Sequence, residues 1–165
     1  IGLKRITSAL NKILERTKKS PVKIILENTS GSGSWLGYKF EHQRQVIDGI
    51  EQKERVGICF DTCHGFAAGY DLSTPEGAKE TINQLDKIVG LERLKLIHLN
   101  DSRDKLNSRR DRHEHIGKGK IGREGLRGLL RDRRLKDAAF ILETPKETET
   151  SDKRNLALAR KLSGV

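Results

Sequence analysis

Four apolar, strand-like runs in this chain each end on a side chain able to hold a metal ion. Ile24-Ile25-Leu26 ends on Glu27, Ile58-Cys59-Phe60 on Asp61, Leu96-Ile97 on His98 and Phe140-Ile141-Leu142 on Glu143. The intervals between these four residues are 34, 37 and 45, each about the length of one strand-loop-helix-loop unit. Successive parallel strands point the same way, so their last residues gather at one end of a barrel or sheet. Three further candidates sit in loops: His64, three residues past Asp61, and the pair Asp111 and His113. Carboxylates and imidazoles together suit zinc or manganese. Two or three such ions can deprotonate a water and hold the attacking and leaving oxygens of a phosphate. No Ser-His or Cys-His pairing accompanies them, which argues against covalent catalysis.

The elements that must carry these residues alternate between helix and strand. Leu3, Ile6, Leu10, Ile13 and Leu14 form a helical stripe over 3–18. Pro21 precedes a strand at 22–27, a Gly/Ser loop runs from Asn28 to Gly37, and a helix follows at about 41–53. The next strand is 56–61, and its loop ends at Ser73-Thr74-Pro75-Glu76, which opens a helix reaching about 89. Strand 94–99, a long basic loop 100–122, helix 123–132, strand 138–143 and helix 151–162 complete four β-α units behind an incoming helix. Ile- and Val-rich strands with little polar alternation are expected to be parallel and buried on both faces.

At 165 residues the chain has room for one domain, here read as 1–165, and a real core. A closed eight-stranded barrel needs about 250 residues. The chain begins at Ile1 and holds no Met, and is read as the C-terminal part of a longer protein or as a reduced one. Cys59 and Cys63 are too few for a disulfide scaffold or a structural zinc site; they are expected to be a buried residue and a loop thiol. The net charge is +10, and thirteen Lys/Arg against six Asp/Glu place +7 of it within 101–136. Such a patch, with candidate metal ligands inside it, favours a nucleic acid.

Weaker signals remain. Gly31 to Gly37 has the spacing G-x-G-x-x-x-G, which is not the dinucleotide fingerprint, and reads as a flexible loop at the rim of the site. Gly117-Lys118-Gly119-Lys120 is not a P-loop, although its N–H groups and lysines could receive a phosphate as readily as form a plain turn. His115 is a spare near His113, and His42, on a helix, is expected to be structural.

The same residues carry a family resemblance. Leu26-Glu27-Asn28-Thr29, the run Asp61-Thr62-Cys63-His64-Gly65-Phe66-Ala67-Ala68-Gly69-Tyr70-Asp71, and His98-Leu99-Asn100-Asp101-Ser102 resemble endonuclease IV, as do Asp111-Arg112-His113-Glu114-His115-Ile116-Gly117 and Leu142-Glu143-Thr144-Pro145. The resemblance runs from about Leu10 to Leu162. It implies an α/β (β/α)8 TIM barrel with zinc ions at its C-terminal mouth, of which this chain supplies the last four units. It also implies a metal-dependent apurinic/apyrimidinic endonuclease of base-excision repair, acting on double-stranded DNA that contains abasic sites. By that resemblance Glu27 is the bridging carboxylate; Asp61, His98 and Glu143 complete one metal site with it; His64, Asp111 and His113 hold another. Glu27 and Glu143 are the expected catalytic carboxylates, zinc the expected metal, with manganese the alternative. The family's first site also needs histidines from earlier strands, absent here, so the isolated chain is expected to be inactive or weak. The missing half-barrel, or a second copy, is the expected partner. The expected location is the cytoplasm in a prokaryote, or the nucleus or mitochondrion in a eukaryote.

Two rivals share these features. A divalent-metal sugar isomerase or epimerase gathers the same residue types at barrel strand ends, but a neutral sugar gives no reason for the basic loop. A non-catalytic nucleic-acid-binding fragment is the other.

Overall fold

The computed structural model describes residues 1–164. Four strands, β1 (Ile24–Glu27), β2 (Val56–Asp61), β3 (Leu94–His98) and β6 (Ala139–Ile141), form one parallel sheet in the order β1-β2-β3-β6. A two-stranded antiparallel ribbon, β4 (Asp101–Ser102) with β5 (His113–Glu114), lies inside the basic segment expected to be loop. Six α-helices accompany them: α1 (Gly2–Arg16), α2 (Phe40–Asp48), α3 (Thr62–Ala68), α4 (Pro75–Ile88), α5 (Gly122–Leu130) and α6 (Ser151–Ser163). Neighbours pack in a row, α1 on α2, α2 on α4, α4 on α5 and α5 on α6. Among the described residues no helix is long and apolar enough to cross a membrane.

Register keeps the strand ends within two residues of one another between neighbours. Glu27 is opposite Cys59, Asp61 opposite His98, and His98 opposite Ile141, so Glu143 follows two residues beyond β6. Every residue of β2 is buried, as expected of a central parallel strand. The outer strand β6 departs from that expectation: it is an edge strand, and Ala139, Phe140 and Ile141 are all exposed. The core lies between the sheet and the helix row, with Ile58, Phe60, Ile82, Leu85 and Ile97 at its centre. Phe40 stacks on Tyr70 at a ring separation of 4.1 Å, and its backbone N–H donates to the Tyr70 hydroxyl.

Helix α3 was not expected. It is short, and Thr62-Cys63-His64-Gly65 has weak helix propensity. Its signals are at its ends: Asp61 caps it by accepting from the His64 N–H at 2.8 Å, and Gly69 closes it at φ +109, a left-handed conformation that favours glycine. Consequently Cys63, expected as a loop thiol, is a fully buried helix residue. Helix α2 ends at Asp48, short of the expected 53, at Gly49.

Candidate metal centre

Asp61 is the pivot of the site. It ends the fully buried central strand and has no exposed surface. Its backbone and both carboxylate oxygens are held from three sides. Its N–H donates to Asn28 Oδ1 at 2.7 Å, and its carbonyl accepts from Asn28 Nδ2, which locks the ends of β1 and β2 together. Its Oδ1 accepts from the His64 N–H, and its Oδ2 accepts from Asn100 Nδ2 at 2.7 Å. The other end of the Asn100 amide, Oδ1, accepts from the Glu143 N–H at 2.9 Å. One buried amide thus fixes the β2 carboxylate against the segment after β6. Thr62 Oγ1 receives the Asn100 N–H at 2.8 Å and completes the clamp.

The seven residues singled out in the sequence gather here. Donor atoms of Glu27, Asp61, His98 and Glu143 lie within 4.8 Å of one another. His98 Nδ1 is 3.0 Å from Glu27 Oε1 and 3.2 Å from Glu143 Oε2. Asp61, His64 and His113 form a second such group. Asp111 Oδ1 joins it, 3.0 Å from His64 Nε2 and 3.5 Å from His113 Nε2. The partition differs from the expected one, because Asp61 stands in both groups.

The two loop imidazoles are oriented alike. His64 Nδ1 is 2.9 Å from the Asn28 carbonyl, and His113 Nδ1 is 2.9 Å from the Glu143 carbonyl. A neutral ring that donates there presents an unprotonated Nε2, and a backbone carbonyl behind the ring is the usual support of a metal-bound histidine. Both Nε2 atoms are buried and make no hydrogen bond. The closeness of His64 Nε2 to Asp111 is therefore proximity without hydrogen-bond geometry, as expected of two ligands sharing a cation. Without a cation, the carboxylates around His64 favour its protonated ring, so a cation bound at Nε2 would take the place of that proton. Burial alone would lower the His64 pKa, yet Glu27, Asp61 and Asp111 raise it to about 10. The surrounding carboxylates draw a positive charge into the site. Burial likewise raises Asp61, against the pull of His64 and His113, whereas for Glu27 the hydrogen bonds from His64 and His98 outweigh burial and lower it. The donor set fits divalent cations.

The remaining candidates stand apart. His115 Nδ1 lies 2.9 Å from Asn155 Nδ2, outside the cluster. His42 Nδ1 accepts from the Gly37 N–H, a structural role. Three of the four backbone N–H groups of the Gly117–Lys120 segment are spent within the fold. The N–H of Lys118 is bonded to His115, that of Gly119 to Asp101 Oδ2, and that of Lys120 to Ser102. It is a turn. The Gly/Ser loop is pinned at its neck by Thr29, whose Oγ1 donates to the Leu36 carbonyl, and carries the chain's one tryptophan, Trp35, outward. Sequence reasoning gave no role to Asn28, Thr62 or Asn100. Each directly follows or nearly follows a strand-end ligand, which was the available signal.

A family model described as "Xylose isomerase-like TIM barrel" matches residues 2–162. The chain belongs to that family. It is 45% identical over 164 residues to a protein of Methanoculleus marisnigri named "Probable endonuclease 4", covering 99% of this chain and 58% of that one. A protein of the same name from Chloroflexus aurantiacus is 49% identical over 162 residues, covering 98% and 57%. The crystal structure of endonuclease IV from Thermus thermophilus superposes with a TM-score of 0.85 at 40% identity, covering 97% of this chain and 57% of that one. The chain thus spans a little over half the length of the relatives it matches. Its four parallel strands with their helices are a partial TIM barrel, as expected.

Proposed function

We propose that this chain is part of a metal-dependent DNA-repair endonuclease that hydrolyses the phosphodiester 5′ to an abasic site. The observation that carries the reading is the paired donor groups around Asp61, with two buried, unbonded imidazole nitrogens facing inward. Support also comes from the relatives' name, endonuclease 4. Zinc, with manganese as alternative, fits the mixed carboxylate and imidazole set. Bound there, such cations would supply Lewis-acid stabilisation of phosphoryl oxygens and a water acidic enough to react at neutral pH.

The protein's own groups divide the work. Fully buried Asp61 anchors, held by Asn28 and Asn100. His64, His98 and His113 offer ring nitrogens within the cluster. The side chains of Glu27 and Glu143 are 36% and 45% exposed, so these carboxylates face the opening where a substrate phosphate would arrive. Lysines and arginines of 103–134 would hold the DNA backbone without reading bases. An abasic nucleotide, lacking stacking and pairing, is cheap to turn out of the duplex toward such a recessed site. A neutral sugar as substrate would leave this charge without a role. The outer edges of β1 and β6, the latter with Phe140 and Ile141 exposed, would pair with further barrel strands or with a second copy.

The test is Glu143→Gln in the complete protein. Incision of a duplex with one abasic site should be abolished while affinity for that duplex is largely kept. Retained incision would defeat the assignment.

A further inference from the structure

Helix α5 carries Arg123 and Arg127, and its C-terminal capping residue Arg131 continues the interval of four, a spacing that puts the three on one stripe. The opposite stripe leaves no choice of orientation. Leu126 and Leu129 are buried, and a Cβ on Gly125 would collide with the Leu72 carbonyl, so the helix sits flush against the chain below it. Between this stripe and α6 runs a groove of about 450 Å³, walled by the three arginines and Lys161, with Leu158 and Leu162 in its lining. Arg131 is fixed there by donating from Nε to the Leu162 carbonyl at 3.0 Å. Arg127 pairs with Glu124; Arg123, Arg131 and Lys161 have no ion-pair partner among the described residues. Like charges four apart on a helix repel, so this arrangement disfavours the free helix and favours a polyanion in the groove.

We propose that the α5–α6 groove is a second nucleic-acid contact, separate from the metal centre, that holds the phosphates of one strand. From Arg123 to Arg131 the helix rises about 12 Å, the axial length of three to four nucleotides at about 3.4 Å each. Arg123, Arg127 and Arg131 lie along that length, and Lys161 faces them from α6. The stripe also starts at the right place. Gly122, immediately before Arg123, donates its N–H to Asp101, three residues past the strand-end ligand His98. The groove therefore leads away from the face that carries the metal centre. This contact rests on the proposed DNA reading, in which these arginines belong to the basic stretch that holds the backbone, and it deepens that reading because it needs neither a cation nor an abasic site.

The experiment measures binding of an intact duplex oligonucleotide, without an abasic site, by fluorescence anisotropy over a salt series. Each phosphate contact contributes about 0.9 to the slope of log K against log salt. The variant Arg123→Gln/Arg127→Gln/Arg131→Gln should lower that slope by about 2.7, and the pair Arg123→Gln/Lys161→Gln, which keeps the Arg131–Leu162 bond, by about 1.8. The control Lys4→Gln/Lys12→Gln/Arg16→Gln removes equal charge from exposed positions of α1 and should leave the slope unchanged. An unchanged slope in both groove variants would overturn the proposal. So would an equal fall in the control, which would mean diffuse net charge, or displacement of the duplex by polyglutamate at matched charge, which would mean an acidic protein partner. Because the probe is not the proposed substrate, this test and the incision test fail independently.

Discussion

Asn100→Ala is the sharpest perturbation of the site, because it changes no candidate ligand. The Asn100 side chain is fully buried and makes two hydrogen bonds, to Asp61 Oδ2 at 2.7 Å and from the Glu143 N–H at 2.9 Å. The first is to a carboxylate with no exposed surface, so its loss costs about 1.5–3 kcal/mol. The second is to a backbone N–H next to solvent, where water can substitute, and costs about 0.5–1 kcal/mol. Together the variant should unfold about 3 kcal/mol more easily in urea, a factor of roughly 150 in the folding equilibrium. Its zinc affinity, measured against a competing chelator, should fall roughly 10- to 100-fold, as when an outer support of a metal ligand is removed. A stability loss under about 1 kcal/mol would refute the hydrogen-bond argument. A full stability loss with unchanged zinc affinity would refute the positioning role and leave Asn100 a purely structural residue.

Burial raises the thiols of Cys59 and Cys63 to about 12. At pH 8 only about one in 10,000 of each is thiolate, so neither should react with a thiol reagent until denaturant exposes both; rapid native labelling would contradict their placement. Asp101 is buried and accepts N–H bonds from Ser102, Gly119, Ile121 and Gly122. Asp101→Asn would turn an amide donor toward some of those donors, and should cost about 2–3 kcal/mol and speed proteolysis within residues 103–120; protection equal to the parent chain would count against this role.

The repeating strand-end pattern was legible because it obeys the geometry of parallel strands: hydrophobic runs ending in phase must present their last residues together. Glu27, Asp61 and His98 needed only that rule. His64 and His113 depended on local structure the periodicity did not contain. His64 is aimed by an unexpected helix whose cap is Asp61 itself, and His113 by a ribbon of two-residue strands too short for any alternating pattern. The asparagines were illegible for a different reason. An amide after a strand is ordinarily a turn residue, and only the register of three strands reveals that Asn28 and Asn100 each bond two elements. The turn at Gly117–Lys120 was ambiguous in composition, and Asp101, eighteen residues away from Gly119, decided it.

The exposure gradient across the cluster separates the ligand the fold places from those that stand at the rim. Asp61 is sealed in, capping α3 and tied to β1 and β3 by asparagines, so the fold determines its position whether or not a cation is bound. Glu27 and Glu143 face the opening, and their positions follow from strand ends that have free edges beside them. A cation shared between the sealed and the open carboxylates would therefore couple the core to the rim. Removal of metal should loosen the outer strands first and leave β2 last, since β2 alone of the four parallel strands is buried along its full length.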